Sequence, residues 1–428
     1  MKNERSYFHA RNLLSIRYLC RACRSISSMG ELAGRTGQLF ILAGKLLTGH
    51  YGEKYWAEQR LKNYPPPRSF NEPQPPQPVR DEPRTFADNE RALALAYEEK
   101  AVIVAANPSQ LIVTLTHRCN LACEMCPQDG AWDLPEHTVR EIIELMPYLK
   151  NISWLGGEVF LSPEFRRLFA AAAAFPGLRQ DITTNALLIE DALIAELAAA
   201  NVQLAVSLEG ITPETYERYR KGGKFQNLIS RLEALSARGG GGCALTMNFI
   251  VMHNNFREVE HILPFAKKYG FTYVSFLGLY EAPGKKDFWR AESIDDLPEA
   301  HTYLAGILPL LEQQSAKHKV GFTFQFPVRG AASAKLPCDP GAERGTKSPS
   351  PAHCALPWHT LEITGDYVRC YCYCGKWLVG DIRTQSLAEI WNGAAMQLMR
   401  YRVAAGPDAG ICPEICPGLK YAATLRDS

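Results

Sequence analysis

Apolar positions along the chain change their period near residue 111. Before it, the spacing is helical: Leu13, Ile16, Leu19, Cys20 and Cys23 share one face, with Arg17, Arg21 and Arg24 between them. After it, short apolar runs alternate with amphipathic stretches. The runs predict strands over 111–116, 152–155, 181–184, 203–208, 245–251 and 273–276. Helices over 138–149, 163–174, 190–199, 213–237 and 256–269 separate them, and one stops at Gly270 after Lys267 and Lys268. Further helical stretches cover 87–100 and 293–318. Six strand–helix units predict an α/β fold with a parallel sheet, open or curled into a partial barrel. In such sheets the chemistry sits at the C-terminal ends of the strands.

Punctuation divides the chain. Eight prolines between residues 65 and 83 make an extended linker that neither helix nor central strand can use. A Gly-, Pro-, Ser- and Ala-rich stretch over 331–352 leads to a C-terminal segment with six cysteines in 354–416. The expected parts are a basic helical extension (1–62), a linker (63–86), a barrel (87–335) and a small Cys-rich domain (336–428). The four glycines at 239–242 read as a turn, since no Lys-Ser/Thr follows to build a phosphate cradle.

Charge narrows the partners. The 47 basic and 45 acidic residues nearly cancel, which removes nucleic acid as a default partner. No apolar run is long enough to span a bilayer. The N-terminus lacks the compact apolar stretch of a signal peptide, so a cytoplasmic setting is expected. Up to Arg24 there are six Lys or Arg against one Glu. A helix so lined either packs on its own protein or contacts a membrane surface or protein partner peripherally.

Thirteen cysteines, an odd number and tightly grouped, fit reduced thiols that ligate metal better than a disulfide framework. Cys119, Cys123 and Cys126 stand as Cys-x3-Cys-x2-Cys directly after the first predicted strand. Such a loop can wrap three thiolates around one cubane. A [4Fe–4S] cluster needs four ligands, and no fourth cysteine is local. One iron would then stay open, as in catalytic metal sites.

This arrangement resembles the signature of the radical S-adenosylmethionine (SAM) enzymes. Gly156-Gly157-Glu158, after the second strand, resembles the family element that holds the SAM amino group. Thr183-Thr184-Asn185, after the third, resembles Thr-Asn-Gly, with Ala186 in place of the glycine. Ser207-Leu208-Glu209-Gly210, after the fourth, resembles Ser-Leu-Asp-Gly, whose serine approaches the SAM ribose or carboxylate. Arg220 stands where the family pairs an arginine with the SAM carboxylate. The resemblance implies a (β/α)6 partial TIM-like barrel, a SAM-binding [4Fe–4S] cluster and a flavodoxin- or ferredoxin-type reductant. It also implies reductive cleavage of SAM to a 5′-deoxyadenosyl radical that abstracts a hydrogen atom from substrate.

Farther on, Cys354-x10-Gly365-x4-Cys370, Gly380-Asp381, Glu389-Ile-Trp-Asn392 and Cys412-x3-Cys416 resemble the SPASM and twitch extensions of that family. These bind auxiliary [4Fe–4S] clusters, and the resemblance implies one here, with Cys354, Cys370, Cys412 and Cys416 as ligands. Cys372 and Cys374 share a strand face with Cys370, so Cys372 could take its place. Cys243 and Cys338 read as core or loop residues. Two alternatives stay open: a zinc ribbon from the C-terminal cysteines, with His353 or His359 as candidate ligands, and an iron–sulfur electron carrier without radical chemistry. An auxiliary cluster suggests net oxidation. The helical reading of 1–62, without a winged-helix hairpin signal, tilts the expected substrate toward a small molecule or carbohydrate, with a peptide or protein as the alternative.

Overall fold

In the computed structural model, described for residues 85–127, 131–238, 242–282, 284–329, 354–371 and 377–405, ten strands form one sheet. Its order is β10-β9-β8-β1-β2-β3-β4-β5-β6-β7. The extension at 1–62 lies outside the described residues, as do Cys20 and Cys23. The strands are β1 (Gln110–Thr114), β2 (Asn151–Leu155), β3 (Arg179–Thr184), β4 (Val202–Leu208), β5 (Cys243–Val251), β6 (Tyr273–Gly278), β7 (Gly321–Phe324), β8 (Thr360–Thr364), β9 (Tyr367–Cys370) and β10 (Trp377–Asp381). The run from β8 through β1 to β7 is parallel.

Alternation along the strands makes two unlike faces. Val113, Trp154, Ile182, Val206, Met247 and Phe276 are buried in the apolar core. The opposite positions (Ser153, Thr183, Ser207, Asn248 and Ser275) are polar and partly open. The buried face packs under α2 (Glu136–Leu145), α3 (Phe165–Ala173), α4 (Asp191–Ala199), α6 (Phe225–Arg238), α7 (Val259–Lys268) and α9 (Pro298–His318). Cys243 opens β5 and belongs to this core.

Two helix expectations need correction. The predicted helix over 213–237 is two helices, α5 (Pro213–Tyr219) and α6. Arg220 leaves helical geometry, and Gly222 has a φ of +90°, which an L side chain resists. The helix predicted over 138–149 ends at Leu145, and a single 3₁₀ turn containing Pro147 follows. The sheet also runs past six strands. β7 has only four residues, too few for its Phe322-x-Phe324 alternation to stand out.

The C-terminal segment joins the same sheet. β8 lies parallel to β1, Gln110 opposite Thr360 through Thr114 opposite Thr364. β8 and β9 form a hairpin whose turn holds Gly365 at a φ of +59°. The glycine between the two cysteines is therefore a turn requirement, and it folds β9 back so that Cys370 lies opposite Leu361. A Cβ on Gly380 would stand 2.4 Å from Ile390. The 389–392 element is an anchor as well. Trp391 Nε1 donates to the Ala106 carbonyl (2.7 Å), and Asn392 exchanges two 2.9 Å hydrogen bonds with the Val104 backbone. Trp358 Nε1 donates to the Ala101 carbonyl at 2.8 Å. Side chains from the far end of the chain thus satisfy the strand-less backbone that leads into β1.

His359 belongs to that anchor. Its Nδ1 stands 3.2 Å from Ser109 Oγ, and its ring lies against Tyr97. Burial, with a smaller push from the Lys150 charge, lowers its pKa to about 4. The unfolded chain therefore takes up this proton first as pH falls. Stability is expected to drop between pH ~6.5 and ~4, by on the order of 2–3 kcal/mol. Denaturant unfolding across that range should show a slope that His359→Gln flattens.

Candidate active site

The Cys119 loop leaves the C-terminal end of β1 and is held from two sides. Thr116 Oγ1 donates toward the Trp132 carbonyl (3.0 Å) and Asp133 Oδ1 (2.8 Å), and Arg118 forms an ion pair with Asp133. On the other side the β2 exit presses against the loop. Gly157 N donates to the Thr116 carbonyl and Glu158 N to the Arg118 carbonyl, both at 2.8 Å. A Cβ on Gly156 would stand 2.6 Å from Thr116 O, and one on Gly157 would stand 2.3 Å from Arg118 O. Neither position admits a side chain.

Glu158 is fully buried. Its Oε1 accepts from Thr184 Oγ1 (2.7 Å), and its Oε2 accepts from the Asn185 N–H (2.8 Å). Burial holds its carboxyl above the usual range, and these two bonds oppose that. Asn185 Nδ2 reaches Asn120 Oδ1 at 2.8 Å and stands 4.0 Å from Cys119 Sγ. The next residue, Ala186, has a φ of +65° and is buried. The position of the family element's glycine is thus left-handed in this chain, and alanine carries the strain.

Arg220 and Glu209 form a buried bidentate pair, with Nη2 donating to Oε1 at 2.9 Å and Nε to Oε2. The remaining guanidinium edge points at the thiol loop, with Nη1 3.8 Å from Cys123 Sγ. Burial pulls the Arg220 pKa down, but Glu209 and then Cys123 outweigh it and hold it above its ordinary value. Only the helix break after Tyr219 gives Arg220 this aim. Ser207 lies on the polar face of β4 opposite Asn248 of β5.

Burial pushes the Cys123 thiol up to about 11, against the pull of Arg220, and burial also raises Cys126. Both neighbours, Cys119 and Cys126, add to the Cys123 shift, so the three thiols sense one another. Among the described residues no three His, Cys, Asp or Glu side chains converge on a single ion. Three thiols close enough to sense one another suit a cluster whose positive irons would relieve the thiolates.

The outer wall of the loop leaves no pattern in the sequence. Met125 packs with Tyr219, Met252, Leu279 and Phe288 in a small separate apolar cluster. Behind it, buried Glu292 accepts from Tyr219 Oη (2.6 Å), Arg218 Nη2 (2.9 Å) and Asn254 Nδ2 (2.9 and 3.0 Å). The Tyr219-Arg220 neighbourhood is visible in sequence, but Glu292 lies 73 residues from Tyr219 and carries no local signal.

Cys354 and Cys370 are both buried, at the other end of the sheet from the first loop. Cys370 pairs with Leu361, level with Leu111 at the start of β1. The three remaining residues of β1 alone place roughly 10 Å between the two cysteine groups. Cys372, Cys374, Cys412, Cys416, Cys338 and His353 lie outside the described residues.

The chain is similar to known proteins over both cysteine-bearing segments. The family model of the Radical SAM superfamily matches residues 113–266, and that of the SPASM iron–sulfur cluster-binding domain matches residues 354–417. The mycofactocin maturase MftC of Mycobacterium ulcerans is 30% identical over 173 residues, 39% of this chain and 46% of that protein. The chain thus matches about half the length of that relative. The PqqA peptide cyclase of Gluconobacter oxydans is 24% identical over 293 residues, 67% of this chain and 76% of the cyclase. Streptococcus suis SuiB aligns with a TM-score of 0.55 at 14% identity, covering 89% of this chain and 86% of SuiB. Another SuiB structure, bound to the precursor peptide SuiA, aligns with a TM-score of 0.54 at 14% identity, with the same two coverages.

The glycine contacts can be tested directly. Gly157→Ala forces a methyl group against a backbone carbonyl and is expected to cost about 1–3 kcal/mol. Gly177, where an added Cβ would meet nothing within 4 Å, is the control. Gly177→Ala should leave denaturant stability within about 0.5 kcal/mol.

Proposed function

The chain belongs to the radical SAM superfamily and carries a SPASM domain, and on that premise we propose that it modifies a peptide. Its cofactors are SAM, a [4Fe–4S] cluster and auxiliary iron–sulfur binding in the C-terminal segment. We assign Cys119, Cys123 and Cys126 to the SAM-binding cluster, and Cys354, Cys370, Cys412 and Cys416 to one auxiliary cluster. Gly156, Gly157, Glu158, Asn185, Ser207, Glu209 and Arg220 form the SAM site. When bound, these groups supply one-electron cleavage of SAM and hydrogen-atom abstraction from the substrate.

The chain's own residues position and neutralise. Glu209 orients Arg220, so that one guanidinium edge faces the Cys123 sulfur and offsets thiolate charge. Asn185 stands over Cys119 because Glu158 grips its backbone. The Glu158 carboxylate keeps acceptor capacity beyond its present bonds, which a SAM ammonium can use. The polar open face of β2 to β6 offers donors and acceptors along the sheet. A flavodoxin- or ferredoxin-type protein supplies the electron.

The observation that carries the peptide reading is the relatives. The PqqA cyclase, which matches most of its own length, acts by name on a peptide, and a SuiB of similar fold is recorded with a precursor peptide. They outweigh the tilt toward a small molecule, which rests on residues 1–62 alone. The test is anaerobic incubation with SAM, dithionite and short peptides encoded beside the gene. The expected outcome is 5′-deoxyadenosine together with a peptide that has lost two hydrogens by mass spectrometry. Oxidation of a sugar alcohol with no peptide altered would reverse the assignment.

Cluster number gives a second check. Anaerobic reconstitution should load about eight irons per chain, and Cys119, Cys123 and Cys126 changed together to Ala should leave about four. A triple variant that holds zinc, or no metal, is incompatible with the two-cluster assignment.

A further inference from the structure

Glu292 is the last residue of α8 (Lys286–Glu292), and it is buried. The donors to its carboxylate come from two separate places. Tyr219 Oη (2.6 Å) and Arg218 Nη2 (2.9 Å) belong to α5, whose last residue precedes Arg220. Asn254 Nδ2 (2.9 and 3.0 Å) belongs to the turn after β5. The Glu292 carbonyl also accepts from the His253 N–H of that turn at 2.8 Å. Burial, and then the bond to Glu292, raise the Tyr219 phenol above its ordinary range and keep it a donor.

Each of the two places controls one half of the Arg220–Glu209 pair. On the α5 side, the Lys221 carbonyl accepts from the Ala122 N–H (2.9 Å), and the Tyr219 carbonyl accepts a longer bond from the Glu124 N–H (3.4 Å). The backbone on both sides of Arg220 is thereby tied to the cysteine loop. On the β5 side, Asn255 Oδ1 accepts from the Met252 N–H (2.6 Å), and Asn255 Nδ2 donates to the Glu209 carbonyl (3.0 Å). The turn that Asn254 shares thus fixes the backbone of Glu209. The packing of Tyr219 with Met252, Leu279 and Phe288 is apolar and sets no direction. An ionised carboxylate offers about four acceptor sites, and the bonds from Tyr219, Arg218 and Asn254 use both oxygens of Glu292 twice. It keeps nothing for a ligand. We propose that Glu292 is a positioning residue of the SAM site. It holds the end of α5 and the turn after β5 in one register, and that register aims Arg220 at Cys123 while Glu209 stays paired with it. The proposal rests on the assignment of Arg220 and Glu209 to that site. An apolar side chain could fill the same space, but it could not dictate where the Tyr219 hydroxyl and the Asn254 amide stand.

The test is the affinity of the anaerobically reconstituted full chain for labelled SAM, read by equilibrium dialysis without turnover. Arg220→Gln comes first and should weaken SAM binding roughly tenfold or more. If it does not, the assignment of Arg220 fails and the proposal falls with it. Arg220→Lys, which keeps the charge but loses the fork, stands in if that variant does not load iron. Glu292→Gln keeps the shape and removes the charge, and should weaken SAM binding about fivefold or more. Because Glu292 acts through Arg220, the double variant should fall at least about threefold short of the product of the two single effects. Two effects that multiply in full, or a Glu292→Gln affinity within about twofold of the parent, overturn the proposal and leave Glu292 serving the fold alone. If Glu292→Gln does not fold or load iron, Tyr219→Phe, which removes one hydroxyl, takes its place in the same cycle and is decided by the same two outcomes.

Discussion

The site depends on one close approach, the contact of the β2 exit with the carbonyls of Thr116 and Arg118. It is possible only because residues 156 and 157 have no side chains. With that contact made, the cysteine loop has a fixed floor. Glu158 is then delivered to a buried position where it can hold Thr184 and Asn185. Asn185 in turn reaches back to Asn120 inside the cysteine loop. Three consecutive strand ends are thereby closed into a ring of contacts, each using the one before it. The two glycines give up conformational economy in the unfolded chain to make this ring. No single residue of it is informative apart from the others.

Much of the fold is legible in sequence because parallel strands buried on one face leave a strong alternation. Trp154, Ile182, Val206 and Met247 mark the core side, and the strand ends follow within a residue or two. The cysteine spacing, the glycine pair and Arg220 are legible because each is local. What sequence hides is long-range. The break at Gly222 is weak against a strong helical period on both sides, yet it sets the aim of Arg220. Glu292 and Arg400 meet their partners across tens to hundreds of residues, and a pattern of period two or 3.6 carries no trace of that. The glycine in Cys354-x10-Gly365-x4-Cys370 is only a spacing in the sequence; its physical content is a left-handed hairpin turn.

The two buried arginines show one residue type solving opposite problems. Arg220 arrives with its counter-charge, and the pair leaves one donor edge to face a thiol. Arg400 arrives with carbonyls and an indole face, and among the described residues no carboxylate pairs with it. The first arrangement is electrically complete within the polypeptide.

The pairing of β8 with β1 changes what a fragment of this protein would be. The backbone groups along one side of β1, from Gln110 to Thr114, are occupied by β8. A chain cut ahead of residue 354 would present that side as a bare, apolar edge, the kind of template that recruits strands from other molecules. Trp358, Trp391 and Asn392 would be lost together with it, and the carbonyls of Ala101, Val104 and Ala106 would lose their donors. The part ahead of residue 354 cannot therefore be excised as a minimal unit for crystallisation or assay. Within the chain, β8 thus acts as an intramolecular guard for the edge of β1.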